Sequence, residues 1–367
     1  MNTQIQDKFT FKNGQTMRNR VVLAPMTICA SEPGGYVSQA DIDFFARRSR
    51  SVGMVITGST YVHPLGKSFA ESFSGAEDDK IEGLSRLAKA IKDQGALAIV
   101  QLYHGGRMVL PDLIDGQPVA PSAVKAPRDY LAEPRALKNA EVEQVIEDFL
   151  SAIRRAIQAG FDGVELHGAN TYLIQQFVSP HSNVRQDKWG GSLNNRLRFP
   201  KTLLKRAKQL VKEEADRPFL IGYRFSPEEV EEPGIQLYDT LQLLEQLIYH
   251  QVDYLHISTS DVWRSSIRDS QDSEPVIQKI IKKINGRVPL IGVGQIETKQ
   301  DAQRVLDAEI PLFALGKALL LDPDWAEKVV SGREEEVIRT YRDELQADLA
   351  LPTAFVEDAR SYLEGKD

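Results

Sequence analysis

A closed (β/α)8 (TIM) barrel is the fold class this chain predicts, and three features of the sequence predict it. Short apolar runs recur along all 367 residues. Segments with helical hydrophobic spacing lie between them. No long acidic, Gly/Ser-rich or Pro-rich linker breaks the alternation, and repeated strand–helix units with right-handed crossovers favour closure over an open doubly wound sheet.

Taken in order, Phe9-Thr-Phe-Lys-Asn13-Gly14-Gln-Thr-Met-Arg18 alternates apolar and polar residues around Asn-Gly, a strong hairpin signal. Residues 1–20 are therefore expected to cap one end of the barrel. Eight apolar runs follow: Val21 to Met26, Met54 to Thr60, Ala96 to Leu102, Gly163 to Leu166, Leu220 to Phe225, Tyr254 to Ser258, Pro289 to Val293 and Leu312 to Leu315. Between them, sets such as Ile81-Leu84-Leu87-Ala88-Ile91 and Val142-Val145-Ile146-Phe149-Leu150-Ile153 mark one apolar face of a helix. Two connections exceed the usual few residues. Tyr103 to Lys138, after the third strand, is expected to hold a lid or hairpin. Ala169 to Asn194, after the fourth, carries a polar motif at its start. From Arg333 the chain reads as a helix, then a looser stretch from Leu349, all within a single domain spanning 1–367.

Composition narrows the function. With 42% hydrophobic and 26% charged residues, net charge −7 and a pI near 5.6, the chain is an ordinary globular one. It lacks the basic, aromatic-interleaved surface that nucleic acid requires. The single cysteine, Cys29, rules out a disulfide framework and any four-cysteine metal or iron–sulfur site. No run reaches membrane-spanning length and the first residues lack an apolar signal core, so a cytoplasmic protein with no membrane partner is expected.

Function is sought at the C-terminal ends of the strands, where barrel active sites are built. Those ends carry Pro25-Met26-Thr27, Gly58, Gln101, His167, Arg224, His256 to Ser258, Gly294-Gln295 and Gly316-Lys317. Gln101 and Arg224 sit in strands where an apolar side chain is expected, and an unpaired buried amide or guanidinium is costly. Glu165, two residues before His167 and on the same face, is the predicted ion-pair partner of Arg224. Gly292-Val-Gly294 and Leu315-Gly316-Lys317 place two glycine-lined turns and a cation side by side, which suits a phosphate. His167, Asn170 and Tyr172 gather an imidazole, a carboxamide and a phenol within six residues. The first two suit a carbonyl oxygen, and the phenol, protonated at neutral pH, suits proton donation.

This pattern resembles the old yellow enzyme family of FMN-dependent ene reductases from about Phe9 through Lys328. The most specific string is His167-Gly-Ala-Asn-Thr-Tyr-Leu-Ile-Gln-Gln-Phe-Val-Ser-Pro180, continuing through Asn183, Arg185, Asp187, Gly190-Gly191-Ser192 and Asn195-Arg196. The resemblance implies FMN with its phosphate at Gly294, Gln295, Gly316 and Lys317. Its ring would lie across Pro25, Met26, Gly58, Gln101 and Arg224, with the Thr27 hydroxyl near O4 and N5. It further implies a cycle in which NADH or NADPH reduces the flavin and leaves. An enone, enal or similar activated alkene then takes a hydride from N5, His167 and Asn170 binding its oxygen and Tyr172 protonating the carbon. Two departures stand out. Lys317 replaces the family's usual arginine, which keeps the charge without the planar grip on phosphate, and Thr171 stands where many relatives have Gly. Some relatives carry a cysteine where this chain has Thr27, so a redox-switching thiol there is excluded.

Competing readings are a flavin oxidase passing electrons to oxygen or quinones, and a catalytically idle flavin- or phosphate-binding barrel. His256 and Trp263 are read as packing residues, His63 and His181 as loop hydrogen-bond partners, and Cys29 as a small buried side chain. Tyr103 and His104 are placed at the pocket rim or in packing. The physiological alkene, the preference for NADH or NADPH, and the oligomeric state, a homo-oligomer included, are left open.

Overall fold

A computed structural model describes residues 3–365. Met1, Asn2, Lys366 and Asp367, the ends of the predicted cap and tail, lie outside the described residues. The chain opens with an antiparallel pair, β1 (Phe9–Thr10) and β2 (Thr16–Met17), which turns at Asn13-Gly14 with Gly14 at φ 91°. Next come β3 (Val21–Leu23), β4 (Met54–Tyr61) and β5 (Leu97–Tyr103). A small pair, β6 (Val119–Ala120) and β7 (Arg135–Ala136), lies in the loop after β5, before β8 (Gly163–Gly168), β9 (Leu220–Phe225), β10 (Tyr254–Ile257), β11 (Leu290–Val293) and β12 (Leu312–Leu315). Strands β3, β4, β5, β8, β9, β10, β11 and β12 pair in that order, all parallel, and β12 returns to β3 to close the barrel.

Helices run between and after the strands: α1 (Gln39–Ser49), α2 (Ile81–Asp93), α3 (Asn139–Gln158), α4 (Leu173–Val178), α5 (Leu193–Arg196), α6 (Arg198–Glu214), α7 (Leu237–Tyr249), α8 (Val276–Ile284), α9 (Lys299–Asp307), α10 (Lys317–Leu321), α11 (Trp325–Val330) and α12 (Thr353–Glu364). Helical spacing decides which face each one buries. On α2 it is Leu84, Leu87, Ala88 and Ile91, and on α3 the stripe from Val142 through Ile153. The first turn of α3 is closed by Glu141, whose carboxylate accepts from the Lys138 N–H at 2.7 Å.

The period-2 alternation of each strand divides the barrel interior into two levels. At the lower level Met54, Ile56, Ile99, Leu220, Tyr254, Ile291 and Leu312 pack with Phe11 and Met17 of the hairpin, which seals that end as expected. Side chains of this size contribute about 1.5–3 kcal/mol each on burial, so this level stabilises the barrel. Further along the same faces, two residues on at Gln101 and His256 and four on at Arg224, the interior turns polar.

Three details differ from expectation. The first strand ends at Leu23 rather than Met26, because Pro25 has no N–H to continue the ladder. The pair inside the long loop after β5 is parallel, with Val119 opposite Arg135, so that loop holds no hairpin. In the tail, residues from Arg333 form only short 3-10 turns, at Glu334–Glu336 and Asp343–Leu345, and the helix is α12, in the stretch expected to be loose. The consecutive Glu334 to Glu336 are drawn to different cations, Glu334 to Arg339 and Glu336 to Arg333. Pro352 starts α12 with φ −60°, and Val356 and Leu363 anchor it with almost no exposure. No helix among the described residues is long and apolar enough to cross a membrane.

Candidate active site

Gln101 on β5 and Glu165 on β8 are register partners, so they meet at the upper level of the interior. Gln101 Nε2 donates to Glu165 Oε1 at 2.8 Å, and Ser59 Oγ donates to Gln101 Oε1 at 3.1 Å. The other carboxylate oxygen, Oε2, lies 2.9 Å from His256 Nδ1, with both side chains fully buried. The predicted Glu165–Arg224 ion pair is therefore not formed: no contact within 4.0 Å joins them. On β9 it is Gly222, not Arg224, that stands level with Glu165, and the carboxylate turns sideways to donors on β5 and β10. His256 is thus a hydrogen-bonding member of this cluster and not only a packing residue. Arg224 is left with its buried Nε unpartnered. Burial lowers the pKa of its guanidinium, while Glu165 and Tyr172 favour the charged form.

Above this cluster stand the three residues of the polar motif. His167 is level with Arg224 on β9. Its Nδ1 accepts from the Ala169 N–H at 3.4 Å, which leaves Nε2 to carry the proton. Burial first, then the charges of Arg224 and His256, hold the imidazole well below the usual histidine range, so it is neutral at pH 7. Asn170 is exposed, with a left-handed backbone at φ 56°. Its Oδ1 accepts from Ser258 Oγ at 2.8 Å and its N–H donates to Ser226 Oγ at 3.0 Å, so its amide NH2 is the free end. Tyr172 meets the His167 ring edge-on at 5.0 Å and is backed by Tyr103 at 5.2 Å and Phe69 at 6.4 Å. Burial pushes its phenol up to about 12, and its hydroxyl has no hydrogen-bond partner among the described residues.

The remaining predicted residues stand at or just past the C-terminal ends of barrel strands, at the same end of the barrel. Pro25, Met26 and Thr27 are half-buried just past β3. A Cβ added to Gly58 would lie 2.6 Å from Met26 O, and one on Gly316 would lie 3.6 Å from Met26 Sδ, so these residues adjoin. Thr27 Oγ1 accepts from the Ser59 N–H at 3.2 Å, leaving its hydroxyl proton to donate elsewhere. Gly294, at φ 110°, passes so close to the next loop that a Cβ would lie 2.7 Å from the Asp261 N. The backbone N–H groups of Gln295 and Lys317 find no acceptor among the described residues. Lys317 Nζ lies 4.9 Å from the Tyr362 ring of α12.

Sequence reasoning missed two cations. A depression of about 370 Å³ beside Asn170 is lined in part by Arg128 and Arg264, neither of which has a side-chain hydrogen bond or ion pair among the described residues. A lone arginine in a loop carries no sequence signal. Ser59 and Ser258 were legible only as residues at strand ends, without the partners they orient.

Comparisons with known proteins give the family and the fold. Residues 7–336 match the profile of the NADH:flavin oxidoreductase / NADH oxidase family. The chain belongs to this family. It is 47% identical over 340 residues to an NADH:fumarate oxidoreductase of Klebsiella pneumoniae (strain 342), covering 92% of this chain but only 37% of that protein, so the chain spans little more than a third of that relative. It is 44% identical over 332 residues to a probable NADH-dependent flavin oxidoreductase, YqiG, of Bacillus subtilis (strain 168), covering 90% of this chain and 89% of that one. The solved structure of an old yellow enzyme homologue from Zymomonas mobilis superposes with a TM-score of 0.81 at 25% identity, covering 96% of this chain and 99% of that chain.

Family membership implies FMN as cofactor and NADH or NADPH as reductant. The residues present fit that group. Arg224 offers an unpartnered donor, Gln101 has one amide proton uncommitted, and Thr27 retains its hydroxyl proton. At the other side of the mouth, free amides at Gln295 and Lys317 and the close approach at Gly294 suit a phosphate.

Other residues resolve into structural roles. His63 Nδ1 accepts from the Leu65 N–H at 3.1 Å. His104 is buried, its Nδ1 accepting from the Gly106 N–H at 3.0 Å, and burial lowers its pKa to about 3. It therefore packs in the loop rather than at the rim. Tyr103 accepts the Ser68 N–H and supports Tyr172. The His181 side chain has no hydrogen bond among the described residues, and Trp263 carries the Arg304 guanidinium at 4.2 Å. Cys29 is half-buried rather than buried, at φ 46°, and its thiol is pushed up by burial and then by Asp358 and Glu71.

Proposed function

We propose that this chain oxidises NADH or NADPH and reduces the activated C=C bond of an α,β-unsaturated carbonyl or similar acceptor. The carrying observation is the Tyr172 phenol, unpartnered, protonated to about pH 12 and edge-on to a neutral His167 at 5.0 Å. FMN, when bound, supplies the redox chemistry by accepting a hydride from the nicotinamide and giving one to the alkene. The protein's part is binding, polarisation and proton delivery. His167, through Nε2–H, and Asn170, through its amide NH2, donate to the carbonyl oxygen and stabilise the negative charge that grows there. Tyr172 gives its proton to the adjacent carbon and recovers one from solvent, so a hydride and a proton together complete the reduction.

Gln101 and Arg224 are proposed to hold the pyrimidine edge, Thr27 to donate near O4 and N5, and Pro25, Met26 and Gly58 to back the ring. Gly294, Gln295, Gly316 and Lys317 are proposed to hold the phosphate. The barrel, its hairpin cap and the C-terminal segment are taken as one functional unit, cytoplasmic and either single or homo-oligomeric. The family's NADH oxidase members favour a second reading, in which electrons pass to oxygen or a quinone.

Anaerobic stopped-flow separates these readings. The holoprotein is reduced with NADH or NADPH and then mixed with enones, enals, nitroalkenes, quinones or oxygen. Fast reoxidation by an alkene with formation of the saturated product is the expected result. Reoxidation by oxygen or quinone alone would replace the reading with the second one, and a colourless protein that binds no FMN would leave only an idle barrel.

A further inference from the structure

We propose that Glu165 is a positioning residue, a buried countercharge that leaves the donors of Arg224 free for the flavin and sets the flavin's reduction potential. The inference rests on the reading that the barrel mouth binds FMN. A guanidinium in the barrel interior needs a compensating charge, and a direct carboxylate pair would supply it by occupying N–H groups that a flavin would otherwise use. The structure solves this differently. Glu165 sits level with Gly222, two residues below Arg224, and both its oxygens are committed elsewhere, Oε1 to Gln101 Nε2 at 2.8 Å and Oε2 to His256 Nδ1 at 2.9 Å. Glu165 and His256 are wholly buried, so no water screens the carboxylate from Arg224.

The electrostatic balance agrees with that geometry. Burial pushes the Glu165 carboxyl up, yet His256 and Arg224 together hold it below the usual carboxylate range, so the group is ionised. Burial lowers the pKa of His256 and outweighs the opposing pull of Glu165, so the imidazole is a neutral donor and Glu165 is the one negative charge of the cluster. Charge that the flavin takes on when reduced would therefore meet the cation of Arg224 partly offset by the anion beneath it. The same carboxylate, with Ser59 on the opposite oxygen, fixes which end of the Gln101 amide faces the mouth. One buried group thus governs two of the proposed flavin contacts.

The test is the two-electron midpoint potential of the bound flavin, measured by anaerobic dye-coupled reduction of the holoprotein. Glu165→Gln removes the charge and keeps the shape. Its amide oxygen can accept from Gln101, and His256 can exchange tautomers to accept from its NH2. Arg224 would then act unopposed, and the equilibrium should move about tenfold or more toward the reduced flavin, roughly 30 mV upward for each tenfold. Glu165→Asp, which withdraws the charge by one methylene, should lie between the variant and wild type, and it carries the test if Glu165→Gln does not fold. A potential at or below the wild-type value in the folded variant overturns the inference alone. A wild-type protein that takes up no FMN overturns the reading of the mouth, and this inference with it.

Discussion

At the scale of single residues, the sharpest feature is the backbone of Asn170 and Thr171, at φ 56° and 63°. Asn tolerates the left-handed region. A β-branched Thr does not, and its placement there stores about 1–2 kcal/mol. Hydrogen bonds hold it: the Thr171 N–H donates to Gln175 Oε1 at 3.1 Å and its carbonyl accepts from Gln176 Nε2 at 2.7 Å. Thr171→Gly should therefore raise the free energy of unfolding by about 0.5–1 kcal/mol, the relief of strain exceeding the added entropy of the unfolded chain. Denaturant titration checks this, and destabilisation would mean that the turn is not strained. His167, Asn170 and Tyr172 were legible in the sequence because they lie within one short segment. The partner of Glu165 was not, since it depends on how β5, β8 and β10, strands separated by long stretches of sequence, align laterally. A diagonal Arg224 on the neighbouring strand looks as near as a level Gln101 until the register is known.

At the scale of elements, the barrel strands were legible because fully buried parallel strands read as continuous apolar runs. The pair β6 and β7, two residues each, carries no periodicity to detect, and the position of α12 depends on tertiary anchoring of Val356 and Leu363. The glycines at strand ends are informative in another way. Gly58 brings β4 against the segment after β3, where a Cβ would lie 2.6 Å from Met26 O. Gly58→Ala should displace Met26 and Thr27 and weaken FMN binding about tenfold or more, an approximate loss of 1.4 kcal/mol, with the far-ultraviolet circular dichroism unchanged. Unaltered FMN affinity in a folded variant would place the flavin elsewhere.

At the scale of the whole molecule, the barrel separates an apolar lower level that holds the fold from a polar upper level that holds the chemistry. Proton affinities at the upper level predict the pH response. The Tyr172 phenol is pushed above its ordinary 10 to about 12, so its acid form persists through pH 10. The depressed His167 stays neutral below its ordinary 6.5. The rate of alkene reduction by the reduced enzyme should thus be level from pH 6.5 to 10 and decline only as the pH nears 12. A fall centred near pH 10, the ordinary phenol value, would mean that Tyr172 is not held in a desolvated site.

Delivery by Tyr172 of the proton that completes alkene reduction is put to the test by separating the two half-reactions in Tyr172→Phe. Reduction of the flavin by NADH or NADPH should stay close to the wild-type rate, while reoxidation by an enone slows by roughly 10²–10⁴-fold. Enone turnover at the wild-type rate in that variant would contradict it.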